Sequence, residues 1–99
     1  MTAYLIADVE VVDAEPYAEY RRRFDAILER YGGRILVNGG PVEALEGEWL
    51  PRRLVVLEFP SADHARRWHA SPEYAEILPI RLRHATTHYL TLVEGWSGA

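Results

Sequence analysis

The first third of the chain carries two successive patterns of hydrophobic and polar positions. Residues 3–12 are rich in apolar and β-branched side chains, which is typical of a strand. Apolar side chains then recur at three- and four-residue steps from Tyr17 to Tyr31, which predicts a helix with one apolar stripe. A second strand is predicted at residues 34–38.

The same order returns in the second half of the chain. Residues 53–59 predict a strand, a helical region begins after Ser61, and residues 87–94 predict a last strand. The complete order, β-α-β-β-α-β, is the split pattern of the ferredoxin-like fold. We therefore predict a single α+β domain over residues 1–99, with a four-stranded antiparallel sheet whose strands are ordered 4-1-3-2.

Alternation along the first strand separates its side chains into two faces. One face is small and apolar, which suits packing under helices: Ala3, Leu5, Ala7, Val9 and Val11. The other face places Asp8 and Glu10 within the apolar frame of Tyr4 and Ile6. This second face is predicted to line a cavity or an interface.

The helix boundaries have recognisable signals. Asp13, Ser61 and Ser71 are predicted N-caps, because their side-chain oxygens can accept hydrogen bonds from the first turn. Gly32-Gly33 is predicted to end the first helix, because glycine adopts the left-handed conformation at little cost. Pro79 is predicted to interrupt or kink the second helical region, because proline lacks the backbone N–H.

The composition is that of an ordinary folded domain. Hydrophobic residues make up 48% of the chain and charged residues 26%. The net charge of −4 disfavours nucleic acid as a partner, and the lack of cysteine excludes disulfides and thiolate metal sites. No apolar run approaches the ~20 residues that span a bilayer. No signal-peptide pattern is visible, so we expect a cytoplasmic protein with no membrane partner.

The length of the chain predicts a partner subunit. A domain this short buries only roughly 60–70% of the surface of its unfolded chain, so it is marginally stable alone. The strand at residues 53–59 is also apolar on both faces, with Val55 and Leu57 opposite Leu54 and Val56. One of these faces must be covered by something other than the helices, so we expect a homodimer.

The sequence offers no metal or cofactor motif. His64 and His69 are five residues apart and do not share a helix face, and a helix-to-strand change separates His84 from His88. No glycine-rich phosphate loop is present. We therefore predict no tightly bound metal and no flavin.

A candidate ligand pocket is predicted between the helices and the sheet. Its proposed polar and aromatic residues are Arg53, Glu58, Trp68 and Arg81. Glu58 interrupts an apolar strand, Trp68 lies on the following helix, and Arg81 follows Pro79 where its guanidinium could bind a carboxylate. The alternative is that Glu58 and an arginine form a structural ion pair, because a buried carboxylate needs a partner.

Several segments together resemble one known family. They are Asp13 with Tyr17-Ala-Glu-Tyr20, YGGRILVNGG at 31–40, LEGEW at 45–49, RRLVVLEFPS at 52–61, ARRWHASPEY at 65–74 and LVEG at 92–95. The chain resembles the bacterial family called domain of unknown function 1330, within the dimeric α/β-barrel superfamily. The resemblance covers residues 3–95.

The resemblance implies a ferredoxin-like protomer whose sheet packs against that of a second copy, with a ligand cleft between the sheet and the helices of one protomer. Superfamily relatives include cofactor-free monooxygenases, haem-degrading enzymes and lactone isomerases. Two alternatives therefore stay open. The protein is either a cofactor-independent isomerase- or oxygenase-type enzyme acting on a small organic molecule, or a non-catalytic dimeric binding or stress-response protein.

Overall fold

The computed structural model describes residues 1–98. The elements follow the chain as β1 (Ala3–Val11), α1 (Ala14–Arg30), β2 (Arg34–Asn38), β3 (Leu54–Phe59), α2 (Ala62–His69), α3 (Pro72–His84) and β4 (Ala85–Glu94). The strands form one antiparallel sheet in the order β2-β3-β1-β4. This confirms the predicted strand order and the ferredoxin-like architecture, with the second helical region divided into two helices.

The two faces of the sheet have different surroundings. The covered face carries the buried side chains that pack under the helices, among them Leu5, Ala7, Leu57 and Phe59. The open face carries the alternate side chains of the same strands, among them Tyr4, Ile6, Asp8, Val56 and Glu58. The main core lies between the covered face and the helices, and it contains Trp68, Tyr74, Phe59, Leu28 and Ile77 as its most deeply buried large side chains. The predicted division of β1 into two faces is therefore correct.

The helix starts agree with two of the three predicted caps. The Ser61 hydroxyl accepts a hydrogen bond from the His64 N–H, and the Ser71 hydroxyl accepts one from the Tyr74 N–H. Asp13 occupies the N-cap position of α1, but its side chain caps no N–H of the helix. A carboxylate oxygen of Asp13 instead lies 3.5 Å from Nδ1 of His84. The predicted capping bond of Asp13 is therefore wrong, although the predicted helix start is correct.

Pro79 does not interrupt α3. The helix is continuous from Pro72 to His84, with Pro79 on its exposed side. Its opposite side buries Ile77 and Arg81, so packing against the rest of the domain holds the helix together despite the missing N–H. Arg81 consequently points inward because it is four residues after Ile77 on the buried side, not because the chain leaves the helix there.

The two glycines after α1 are structural for different reasons. Gly32 has a φ of 79°, a left-handed conformation that side chains with a Cβ rarely adopt. A Cβ on Gly33 would lie 2.5 Å from Cδ1 of Leu28 and 2.7 Å from Cε1 of Phe59. The first glycine therefore allows the turn, and the second allows the turn to approach the core.

No helix within residues 1–98 has both the length and the apolar character needed to cross a membrane.

Candidate functional site

A cavity of about 160 Å³ lies between the covered face of the sheet and the helices. Its floor includes Ala7, Val9 and Leu57 from the central strands. The small side chain of Ala7 leaves room that a larger residue would fill. The helices contribute an aromatic wall of Tyr17, Tyr20, Phe24, Trp68 and Tyr74.

The aromatic wall is closely packed. The ring centroids of Trp68 and Tyr74 are 4.3 Å apart, and those of Phe24 and Trp68 are 5.8 Å apart in an edge-to-face arrangement. The hydroxyls of Tyr20 and Tyr74 are 2.6 Å apart and share a hydrogen bond. Because each ring packs against neighbouring rings, the aromatic wall is a preformed part of the cavity.

The tyrosines of the wall are neutral at physiological pH. Burial raises the pKa of Tyr20, and the adjacent Tyr74 hydroxyl raises it further. Burial also raises the pKa values of Tyr17 and Tyr74. The positive charge of Arg81 acts to lower both values, and that of Arg53 acts to lower the pKa of Tyr17, but burial is the larger effect. The three phenols therefore remain protonated and serve as hydrogen-bonding groups, not as bases.

Arg81 is a buried cation in the cavity wall. Only 6% of the residue is exposed, and Nη1 donates a hydrogen bond to Oγ1 of Thr87 at 2.8 Å. Its Nε has no hydrogen-bond partner within residues 1–98. A shift in register between β1 and β4 pairs Val9 with Thr87, which brings Thr87 to the covered face where Arg81 reaches it.

The structure brings three of the four predicted pocket residues to this cavity: Arg53, Trp68 and Arg81 all line it. Arg53 comes from the end of the segment before β3, and its Nη2 donates to Oδ1 of Asn38 at 2.7 Å. Trp68 is 2% exposed, and its Nε1 finds no acceptor in the described part of the chain.

Glu58 lies outside the cavity. It alternates with Leu57 and Phe59, both of which are buried on the covered face, so its side chain lies on the open face. There it accepts a hydrogen bond from Nε of Arg34 at 2.6 Å. Placing Glu58 in the pocket was therefore incorrect, and the alternation of its own strand was the signal against it.

The predicted pocket residues did not include Tyr17, Tyr20, Tyr74 or Arg21. All four line the cavity. The available signal was the choice of tyrosine at core-facing helical positions, since a buried hydroxyl requires a hydrogen-bond partner.

The open-face carboxylates have partners of their own. Asp8 accepts hydrogen bonds from the backbone N–H groups of Arg52 and Arg53, at 3.1 and 2.9 Å. Glu10 lies 3.0 Å from Nε2 of His88 and 3.3 Å from Nε of Arg52. Burial acts to raise the pKa of Asp8, but the two backbone hydrogen bonds and nearby positive charge together lower it below its usual value. These carboxylates hold the segment before β3 in place.

No group of three or more His, Asp or Glu side chains within residues 1–98 is arranged to hold a metal ion. The absence of a tightly bound metal stays a prediction, to be checked by elemental analysis of the purified protein.

Comparisons with known proteins agree on the fold. The profile of the family described as Domain of unknown function (DUF1330) matches residues 2–96. No curated protein matches the chain significantly. A crystal structure of a protein of unknown function from Rhodopseudomonas palustris is similar with a TM-score of 0.75 and 21% identity, covering 97% of this chain and 83% of that chain.

Two further solved structures are similar. SnoaB, a cofactor-independent oxygenase from Streptomyces nogalater, matches with a TM-score of 0.66 and 15% identity, covering 97% of this chain and 94% of that chain. A conserved protein from Methanosarcina mazei Go1 matches with a TM-score of 0.57 and 17% identity, with the same two coverages. At these identities the similarity establishes the fold alone, which is ferredoxin-like.

Proposed function

The chain belongs to the DUF1330 family, and we propose that its aromatic cavity binds a small organic molecule and acts on it without a metal or an organic cofactor. The reaction class proposed is isomerase- or oxygenase-type. The observation that carries the proposal is the cavity itself, which an aromatic wall and the buried residue Arg81 line together. Apolar walls with few, well-placed polar groups are typical of small-molecule sites.

The similarity to SnoaB supports the cofactor-independent part of this proposal by analogy of fold. In such a reaction the protein contributes binding, orientation and stabilisation of charge that develops on the substrate. Arg81 is suited to stabilise negative charge, because a guanidinium is a planar cation that presents several N–H donors. The neutral tyrosines would orient the substrate by hydrogen bonds.

A non-catalytic binding protein is the second candidate. The observation that favours it is the lack of a general base among the cavity residues that the structure describes. The sole carboxylate among them is Asp25, which is exposed, and no histidine is present. An enzyme of this form would depend on a substrate that ionises by itself.

The test of catalysis uses the purified protein with a chelator present. A panel of small aromatic acids and ketones is screened first by thermal shift, because a ligand that binds the folded state raises its apparent stability. Compounds that bind are then incubated with the protein in air and analysed by mass spectrometry. Protein-dependent conversion that Arg81→Gln reduces and Arg83→Gln leaves unchanged would support an enzyme. Binding without conversion would support the non-catalytic alternative.

We also propose that the protein is a homodimer formed through the open face. Ile6 and Val56 lie side by side at the centre of this face, each only partly buried, and Val93 on β4 is 44% exposed. These apolar side chains are more stable when another surface covers them. Light scattering at micromolar concentration is expected to give twice the chain mass of 11.3 kDa. Ile6→Asp is expected to shift the protein to monomer, and a wild-type monomer would contradict the proposal.

A further inference from the structure

We infer that the cavity is a site for a single-ring aromatic anion, whose charged group binds Arg81 and the indole N–H of Trp68. This inference rests on the proposed function, in which the cavity takes a small molecule, and it specifies the chemical class of that molecule.

The first argument comes from hydrogen-bonding groups that lack partners. Among the cavity residues that the structure describes, the two buried side-chain atoms without a partner are Nε of Arg81 and Nε1 of Trp68. Both are N–H donors, and neither side chain contains an acceptor. A ligand that satisfies both must present acceptor oxygens, which excludes ammonium ligands and favours a carboxylate or phenolate.

The second argument is the missing counter-charge of Arg81. Within residues 1–98, no carboxylate lies at ion-pair distance from its guanidinium, and Nη1 donates a hydrogen bond to the neutral hydroxyl of Thr87. A buried charge without a partner is costly, and removing the cost requires an opposite charge nearby. A bound anion would supply that charge and would also give the unpaired Nε–H of Arg81 an acceptor.

The third argument is the charge around the cavity. The chain has a net charge of −4, yet Arg21, Arg53 and Arg81 line the cavity against the single carboxylate of Asp25. None of the three arginines takes part in an ion pair in the described part of the chain, whereas Arg30 and Arg34 pair with Glu73 and Glu58. A local excess of positive charge in a concave site raises the local concentration of anions, even when the protein as a whole is acidic.

The size and the walls of the cavity indicate the uncharged part of the ligand. A volume of about 160 Å³ is close to that of an engineered apolar cavity of roughly 150 Å³ that binds benzene. Phe24, Trp68 and Tyr17 present ring faces and edges against which an aromatic ring packs well. A single ring therefore fits inside, with its anionic substituent directed to Arg81.

The test compares anionic probes with neutral probes of the same shape. Benzoate, salicylate and phenylacetate are titrated against benzamide and benzyl alcohol, and the indole N–H of Trp68 and the Nε–H of Arg81 are followed by NMR. Trp68 is assigned in a chain carrying Trp49→Phe and Trp96→Phe, both of which change exposed indoles. At least one of the acids is expected to shift both resonances and to bind roughly tenfold or more tightly than its neutral counterpart.

Substitutions then locate the charge recognition. Arg81→Met is expected to weaken acid binding roughly tenfold or more, and Arg81→Lys to recover part of it, because lysine keeps the charge but loses the two-pronged geometry. Arg83→Met, on the exposed side of the same helix, is the matched control and is expected to leave binding unchanged. If Arg81→Met does not fold, the comparison of acids with neutral probes on the unsubstituted chain decides.

Equal binding of acids and neutral probes would overturn the inference, as would titrations in which no acid shifts either resonance. Inorganic phosphate that binds as tightly as the acids would also overturn it, because an aromatic ligand would then be unnecessary. Failure of the proposed function is a separate result. Tight binding of an acid without conversion of any compound would support the anion site and contradict the proposed catalytic activity. Binding of neutral compounds alone would support a small-molecule pocket and contradict the inferred anion site.

Discussion

The two faces of the sheet differ in whether the charged side chains beside them have partners within the chain. On the open face each of the three carboxylates has a partner within the chain: Glu58 has Arg34, Glu10 has His88 and Arg52, and Asp8 has two backbone N–H groups. On the covered face Arg81 is buried without a counter-charge among residues 1–98. Charges that the fold satisfies by itself are structural, and a buried charge that it leaves unsatisfied indicates a place for a ligand.

The largest difference in stability between the two faces is expected when a side chain on each face is truncated. Phe59 on the covered face is fully buried, so Phe59→Ala is expected to cost about 3–5 kcal/mol of unfolding free energy. Val93→Ala on the open face removes a side chain that is 44% exposed and is expected to cost much less.

Urea denaturation at several protein concentrations measures both variants. The loss for Phe59→Ala should be nearly independent of concentration, whereas that for Val93→Ala should depend on it if the open face pairs two copies. Equal losses for the two variants would contradict the assignment of the main core to the covered face.

Asp8 is predicted to show the next largest effect, together with a pH signature. Asp8→Asn is expected to cost about 1.5–3 kcal/mol at neutral pH, because hydrogen bonds to a charged acceptor are lost. The pKa of Asp8 is lower in the folded state, so its stabilisation is present above the usual carboxyl pKa near 3.8 and is lost as the pH falls through the lower folded value. Urea denaturation from neutral to acidic pH should show a smaller decline for the variant than for the wild type. The same decline in both would contradict this role.

The tyrosine pair of the covered face should show a smaller effect. Tyr20→Phe is expected to cost about 1 kcal/mol, because the Tyr74 hydroxyl loses its hydrogen bond but remains beside a cavity that can supply water. The double substitution Tyr20→Phe with Tyr74→Phe should cost less than the sum of the two single changes, as measured in a double-mutant cycle. Additive costs would show that the two hydroxyls do not interact.

The smallest effect is expected for Glu58→Gln. Its partner Arg34 has a side chain that is 69% exposed, so solvent screens the pair and it contributes little to stability. The substitution should leave acid binding in the cavity unchanged, in contrast to Arg81→Met. If Glu58→Gln lost acid binding while its melting temperature stayed unchanged, Glu58 would have to be assigned to the binding site.

The fold could be predicted almost completely from the sequence, because its signals are local. Apolar residues at three- and four-residue steps indicate α1, alternation indicates β1, and the two serine caps mark the starts of α2 and α3. Pro79 was misread for a related reason. The local rule predicts a break there, but the buried residues Ile77 and Arg81 anchor the helix on its other side.

The candidate site could be predicted only in part. Arg53, Trp68 and Arg81 were identified as residue types suited to a pocket, and the structure places them around one cavity. Glu58 was assigned with them because it interrupts an apolar strand, although a carboxylate on the open face interrupts that strand equally well. Periodicity separates the two faces of a strand, but it does not say which charges will meet a partner.

The sequence by itself therefore determined the order of elements, the strand arrangement and the division of β1 into two faces, since each follows from short-range periodicity and backbone preference. Tertiary structure alone decided that Thr87 reaches the covered face through a register shift, that Arg81 stays without a carboxylate partner among residues 1–98, and that five aromatic rings line a cavity. These features depend on contacts between residues far apart in the chain, whose distances no local pattern encodes.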